Sequence, residues 1–168
     1  MSNVLERFIW PLVKVSEQAA IASAKYRGQG NNHAADQAAV TSMRASLAEL
    51  PINGRIVIGE GERDEAPMLF IGEELGAGGI EVDIAVDPLE GTSLCAEFKP
   101  GAMSVIAISP RGGLLQAPDV YMEKMAVGPG LPSGIIDLND TLENNIRRIA
   151  SAKKLDLYKL TACILDRP

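Results

Sequence analysis

At 168 residues the chain can bury one hydrophobic core but not two full-sized ones. Hydrophobic residues at 46% and charged ones at 23% exclude wholesale disorder, and an aromatic content of 4% makes the core aliphatic. A net charge of -6 and a pI near 4.8 argue against the basic patches used to bind nucleic acid or anionic membrane, so neither partner is expected.

The N-terminal stretch mixes Glu6, Arg7, Lys14 and Glu17 into its apolar residues, unlike a signal peptide or membrane span, and a cytoplasmic protein is expected. From Leu12 to about Arg27 the spacing of Val15, Ala19, Ala22 and Tyr26 predicts a helix stopped by Gly28 and Gly30. A second helix follows in "NNHAADQAAVTSMRASLAELP", with Ala39, Val40, Met43, Leu47 and Leu50 on its apolar face. Asp36 falls in or near its first turn, where capping alone explains an acid.

Ile56, Val57 and Ile58 read as a strand that opens into an acidic loop holding Glu60, Glu62, Asp64 and Glu65. Pro67 then suits the first turn of a helix carrying Met68, Leu69, Ile71 and Leu75. "EVDIAVDPLEGTS" repeats the arrangement: Val82, Ile84 and Val86 alternate along a strand that Pro88 and Gly91 end, beside Asp87 and Glu90. Two apolar runs around "PRGG" predict a β-hairpin. After "GPGLPSG" come a helix with Leu142, Ile146 and Ile149 on one face and a last strand in "LYKLTACILDRP". A parallel strand needs neighbours and covering helices, so the chain is expected to be part of a longer α/β protein. Cys95 and Cys163 have no metal-type spacing and read as reduced thiols, and the single histidine, His33, reads as a surface or cap residue.

Asp36, Glu60, Asp64, Asp87 and Glu90 all stand at element boundaries beside glycine or proline. In a layered α/β protein the ends of neighbouring strands are where ligands collect, and carboxylates without histidine or thiolate suit Mg²⁺ or Mn²⁺. Thr92 could then orient a water or a phosphoryl oxygen, and the N–H groups around Gly91 and Thr92 could cradle a phosphate. Residue pattern alone favours the plainer reading for any one of these acids, a polar turn after a strand. Tyr121 and Lys124 are equally compatible with an aromatic body on a strand and an exposed amine.

"VIGEGERDEAPMLFIGEELG", "EVDIAVDPLEGT" and "QAPDVYMEKMAVGPG" together closely resemble the class II fructose-1,6-bisphosphatases, including the cyanobacterial type that also accepts sedoheptulose 1,7-bisphosphate. "DPLEGT" is also similar to the D-P-x-D-G-T/S signature of the wider lithium-sensitive phosphatases. The resemblance runs from about Lys14 to the last residue and implies a mixed α/β, layered sugar-phosphatase fold. It implies an N-terminal metal- and phosphate-binding α+β domain over 1–134 and the start of a second α/β domain over 135–168.

For the site, the resemblance implies one divalent cation on Asp36 and Glu60, another on Asp87 and Glu90, and Mn²⁺ or Mg²⁺ as the ion. It implies that Asp64 helps orient or deprotonate the attacking water. Glu90, Gly91 and Thr92 would meet the 1-phosphate, Tyr121 the sugar phosphate, and Arg167 the distal phosphate. The implied substrate is a sugar bisphosphate, in gluconeogenesis or the Calvin cycle, and the full-length family implies a homo-oligomer, dimer or tetramer. The chain departs from the family in carrying Asn32 where a lysine is common, and in stopping before the family's second half. Weak or absent activity is therefore expected of it alone. Two alternatives stand beside this reading: a non-catalytic module pairing with a full-length subunit through an exposed edge, and a phosphatase acting on an inositol phosphate or another sugar phosphate.

Overall fold

In the computed structural model the described residues are 2–61, 68–116, 120 and 122–164, with side chains described from Val4 onward. They fall into two compact units, 1–119 and 120–168. The first holds α1 (Ser2–Glu6), α2 (Ile9–Ala24), α3 (Asn32–Ala48), β1 (Ile52–Ile58), β2 (Glu74–Leu75), β3 (Ile80–Glu90), α4 (Thr92–Ala96) and β4 (Met103–Pro110). The fold is mixed α/β, as the sequence implies. Among the described residues no helix is long and apolar enough to cross a membrane.

The four strands form one mixed sheet in the order β2-β1-β3-β4, with β1 and β3 parallel and the other pairs antiparallel. Alternation puts Ile52 and Ile56 of β1 and Val82, Ile84 and Val86 of β3 into one buried cluster. α2 contributes Val15 and Ala19, and α3 contributes Ala35, Ala39, Val40, Met43 and Leu47, the faces expected from spacing. Alanines at the contact let the two helices pack closely. On the opposite face of β3, the fully buried Asp83 accepts from Arg55 Nη2 at 3.3 Å and from the Gly112 N–H at 2.7 Å, with Arg111 Nη1 at 3.6 Å.

Several expected elements do not form. Residues 68–73 are not helical: Leu69 and Gly72 take positive φ, and the buried Glu73 carboxylate accepts the Leu69 N–H instead of a helical carbonyl. The strand over 80–90 does not end at Pro88, which is buried within it; Gly91 ends it. The turn after β4 closes with Gly113 N–H on the Pro110 carbonyl at 2.8 Å, yet no second hairpin arm follows among the described residues. Asp83 and the Asn53 carbonyl draw Arg111 and Gly112 across β3 and β1, away from the free edge of β4.

The second unit holds α5 (Leu142–Lys153) and a 3-10 turn over Leu157–Lys159. The expected apolar face of α5 points inward but is only partly covered: Leu142 is exposed, Ile146 and Ile149 are half-buried, and Asn145 and Ala150, which flank them, are buried. Asn145 clamps the preceding turn, accepting the Asp137 N–H at 2.8 Å and donating to the Asp137 and Thr141 carbonyls at 2.8 and 3.0 Å. Residues 160–164 form no strand, because no partner strand lies among the described residues of this unit to take their hydrogen bonds; the rest of that expected strand lies outside the described residues.

Candidate functional site

Topology brings the acidic loops together. β1 and β3 are parallel neighbours, so the loops after them leave the sheet side by side and place Glu60 near Asp87. α3 has 17 residues, roughly 25 Å of helix, and β1 has 7, roughly 23 Å of strand. Since α3 leads into β1 through a short connection, its N-terminal half, with Asp36, returns over the exits of both strands.

Local irregularities aim the side chains. Asp87 pairs with Val105 and Glu90 with Met103, so β3 carries one residue more than β4 across this step. In a regular strand positions 87 and 90 point to opposite faces; the bulge brings both carboxyls to one side. A second bulge lies between Ile56 and Ile58, just before Glu60. Gly91, at φ 82, turns the chain from β3 into α4, and it caps that helix with no side-chain bond. α4 is strapped to the α2–α3 connection by the N–H groups of Gly28 and Gly30, which donate to the Cys95 and Ala96 carbonyls at 3.1 and 2.9 Å. Asn32 Nδ2 adds a bond to Ser93 Oγ at 3.0 Å. The Asp36 helix is thereby tied to the segment that carries Thr92.

The acids feel one another. Burial, then the charges of Asp36 and Asp87, raises Glu60 from 4.5 to about 7. Asp87 is raised to about 6, first by burial, then by a hydrogen bond with the Glu90 carboxyl and by its charge, with Asp36 adding to the repulsion. Two carboxyls can share that bond only when one holds a proton. The Leu89 N–H, 3.2 Å from Asp87 Oδ1, pulls the other way. Asp36 is raised by burial and eased by His33, which is exposed at the second position of α3.

Among the described residues no three of these groups are gathered as a ready-made cation cage. The two facts agree, because charge repulsion reaches further than the 2.0–2.6 Å (roughly) of a metal–oxygen bond. The donor set fits a hard divalent cation: oxygen ligands under mutual repulsion, which positive charge would relieve.

Asp36, Glu60, Asp87, Glu90, Gly91 and Thr92 thus lie around one end of the sheet, the first three linked through their fields. Asp64, Tyr121 and Arg167 lie outside the described residues. The capping explanation of Asp36 does not hold, since Asn31 is the cap and accepts the Ala34 N–H at 3.0 Å, with Asp36 a turn further in. Sequence reasoning missed Ser93 and Glu73. The polar partner of Asn32 has no local signal, but a glutamate following Gly72 in an apolar stretch was readable as a buried acid in need of a partner.

The family model described as bacterial fructose-1,6-bisphosphatase, glpX-encoded, matches residues 6–168. A D-fructose 1,6-bisphosphatase class 2/sedoheptulose 1,7-bisphosphatase of Parasynechococcus marenigrum is 50% identical over 163 residues, covering 96% of this chain and 48% of the relative. The protein of the same description from Synechococcus elongatus is 46% identical over 170 residues, covering 94% of this chain and 49% of its own length. The chain spans about half the length of the curated relatives it matches.

Proposed function

The chain belongs to the bacterial, glpX-type fructose-1,6-bisphosphatase family, and on that premise we propose that it carries the cation- and phosphate-binding part of a sugar bisphosphatase. The reaction is hydrolysis of the 1-phosphate of fructose 1,6-bisphosphate, or of the matching phosphate of sedoheptulose 1,7-bisphosphate. The observation that carries the reading is topological: the exits of the parallel strands β1 and β3, with Glu60 and Asp87, open at one end of the sheet beside the half of α3 that holds Asp36.

Asp36 and Glu60 would hold one Mn²⁺ or Mg²⁺, and Asp87 and Glu90 a second. A bound cation would supply the positive charge that polarises a phosphoryl oxygen. The chain's own residues do the rest. Gly91 opens α4 with no side-chain cap among the described residues, so that first-turn N–H groups would meet phosphate oxygens, and the Thr92 hydroxyl stands at the same point. Half-burial of Asp36, Glu60 and Asp87 limits competing water. Asp64 toward the water, Tyr121 toward the sugar phosphate and Arg167 toward the distal phosphate complete the reading by resemblance.

The test is a chimera in which residues 6–168 replace the matching segment of the Parasynechococcus marenigrum relative. Mn²⁺-dependent phosphate release from fructose 1,6-bisphosphate is expected, is lost in Glu60→Gln, and is weak or absent for the 168-residue chain alone. A chimera that folds, binds Mn²⁺ and releases no phosphate from either bisphosphate would refute the assignment.

A further inference from the structure

Glu73 is a buried carboxylate, 7% exposed, to which the site described above gives no part. It has two partners. Oε1 accepts from Arg44 Nε at 2.7 Å, and Oε2 accepts the backbone N–H of Leu69. Leu69 is fully buried at φ 56, a left-handed conformation that leucine keeps only when its surroundings hold it there. Its carbonyl in turn accepts the Glu60 N–H at 3.0 Å.

Further backbone bonds close the same neck. Ile71 donates to the Gly61 carbonyl at 2.9 Å, Gly72 to the Ile56 carbonyl at 2.8 Å, and Ile56 to the Glu73 carbonyl at 2.9 Å. Gly59 permits the approach, since a Cβ there would meet the Leu69 carbonyl oxygen at 2.1 Å. Arg44 lies about two turns beyond Asp36 on α3. One rigid helix therefore carries an acid of the site and, further along, the cation that anchors the neck of the Glu60 loop.

We propose that Glu73 is a positioning residue for Glu60: anchored by Arg44, it holds Leu69 left-handed so that the Leu69 carbonyl fixes the Glu60 backbone toward Asp36 and Asp87. Without the carboxylate, Leu69 relaxes toward ordinary φ, its carbonyl rotates away from the Glu60 N–H, and the Glu60 side chain loses its fixed origin. The consequence for cation binding rests on the functional reading above; the backbone consequence does not.

Glu73→Gln keeps the shape and removes the charge that Arg44 pairs with. In the 168-residue chain the Glu60 amide should exchange with solvent about tenfold faster, while the amide of Ile84 in the central strand keeps its parent rate. Affinity for Mn²⁺, followed by the spin-resonance signal of the free ion, should fall about tenfold, as for other residues that orient a metal ligand. A folded Glu73→Gln chain with a parent-like Glu60 amide overturns the proposal, as does uniform acceleration of both amides, which would mark a purely structural role. If Glu73→Gln does not fold, Arg44→Met, which leaves the carboxylate in place and removes its cation, decides by the same two amides. A parent chain that binds no Mn²⁺ would sink the cation reading, and the exchange rates would still decide the role of Glu73.

Discussion

A site built from repelling acids costs the fold stability, and Glu60→Gln measures how much. In the metal-free chain Glu60 holds its proton up to about pH 7, whereas in the unfolded chain it gives the proton up near 4.5. Between those values the native state binds more protons than the unfolded one, so this group's contribution to stability falls as pH rises through the interval and is level above it. At about 1.36 kcal/mol per pH unit the shift has an upper limit of roughly 3 kcal/mol. The side chain is only partly buried, and solvent screening brings the figure to roughly 1–2 kcal/mol. Glutamine has the same shape and no charge. In urea unfolding with a chelator, Glu60→Gln should be more stable than the parent by that amount at pH 8 and equal to it near pH 4.5. Saturating Mn²⁺ should reverse the order at pH 8, because at about 100 times its Kd the ion at the Asp36–Glu60 site adds roughly 2.7 kcal/mol that the variant lacks. A variant less stable than the parent at pH 8 without metal, or a difference that ignores pH, would refute the repulsion argument.

Asp83→Ala removes a fully buried carboxylate from Arg55, Arg111 and the Gly112 N–H, and should cost roughly 2–4 kcal/mol in denaturant unfolding, less than a wholly buried pair because both arginines reach solvent. Asp140, bonded to Asn144, Arg148 and the Thr141 N–H, is lowered from 3.8 to about 2, so its contribution is complete above 3.8 and is lost as pH falls toward 2. Acid titration of the α5 amides by NMR should show that transition, and Asp140→Asn should abolish it. Asn32→Ala breaks one exposed bond to Ser93 and should change stability by no more than about 1 kcal/mol, yet speed amide exchange in α4; unchanged exchange there would mean the bond holds nothing in place.

Much of this was legible in the sequence, and the parts that were not share a cause. Periodicity found α2, α3 and the central strands, because their buried residues repeat at helical or strand spacing along single elements. It failed at residues 68–73, where local helix pattern yields to a carboxylate bonded to the Leu69 N–H and to Arg44, which lies 29 residues away from Glu73 in the chain. On α5 it found the inward face but not its anchor, since Asn145 is polar and therefore invisible to an apolar pattern. At the site, the motifs marked Asp36, Glu60, Asp87 and Glu90 by position. The bulge that turns Asp87 and Glu90 to one side depends on the register of β3 against β4, which no local pattern records.

Mn²⁺ binding to the 168-residue chain, measured by calorimetry near pH 7 in buffers of different ionisation enthalpy, tests the central claim most directly. The acids are expected to bind the ion and to release protons in doing so, since Glu60 at about 7 and Asp87 at about 6 are partly protonated there. Glu60→Gln and Asp87→Asn should each lose one of the two bound ions and the proton that the substituted acid releases. Parent-like binding in both variants, or no binding by the parent, would contradict the claim that these acids form a cation site.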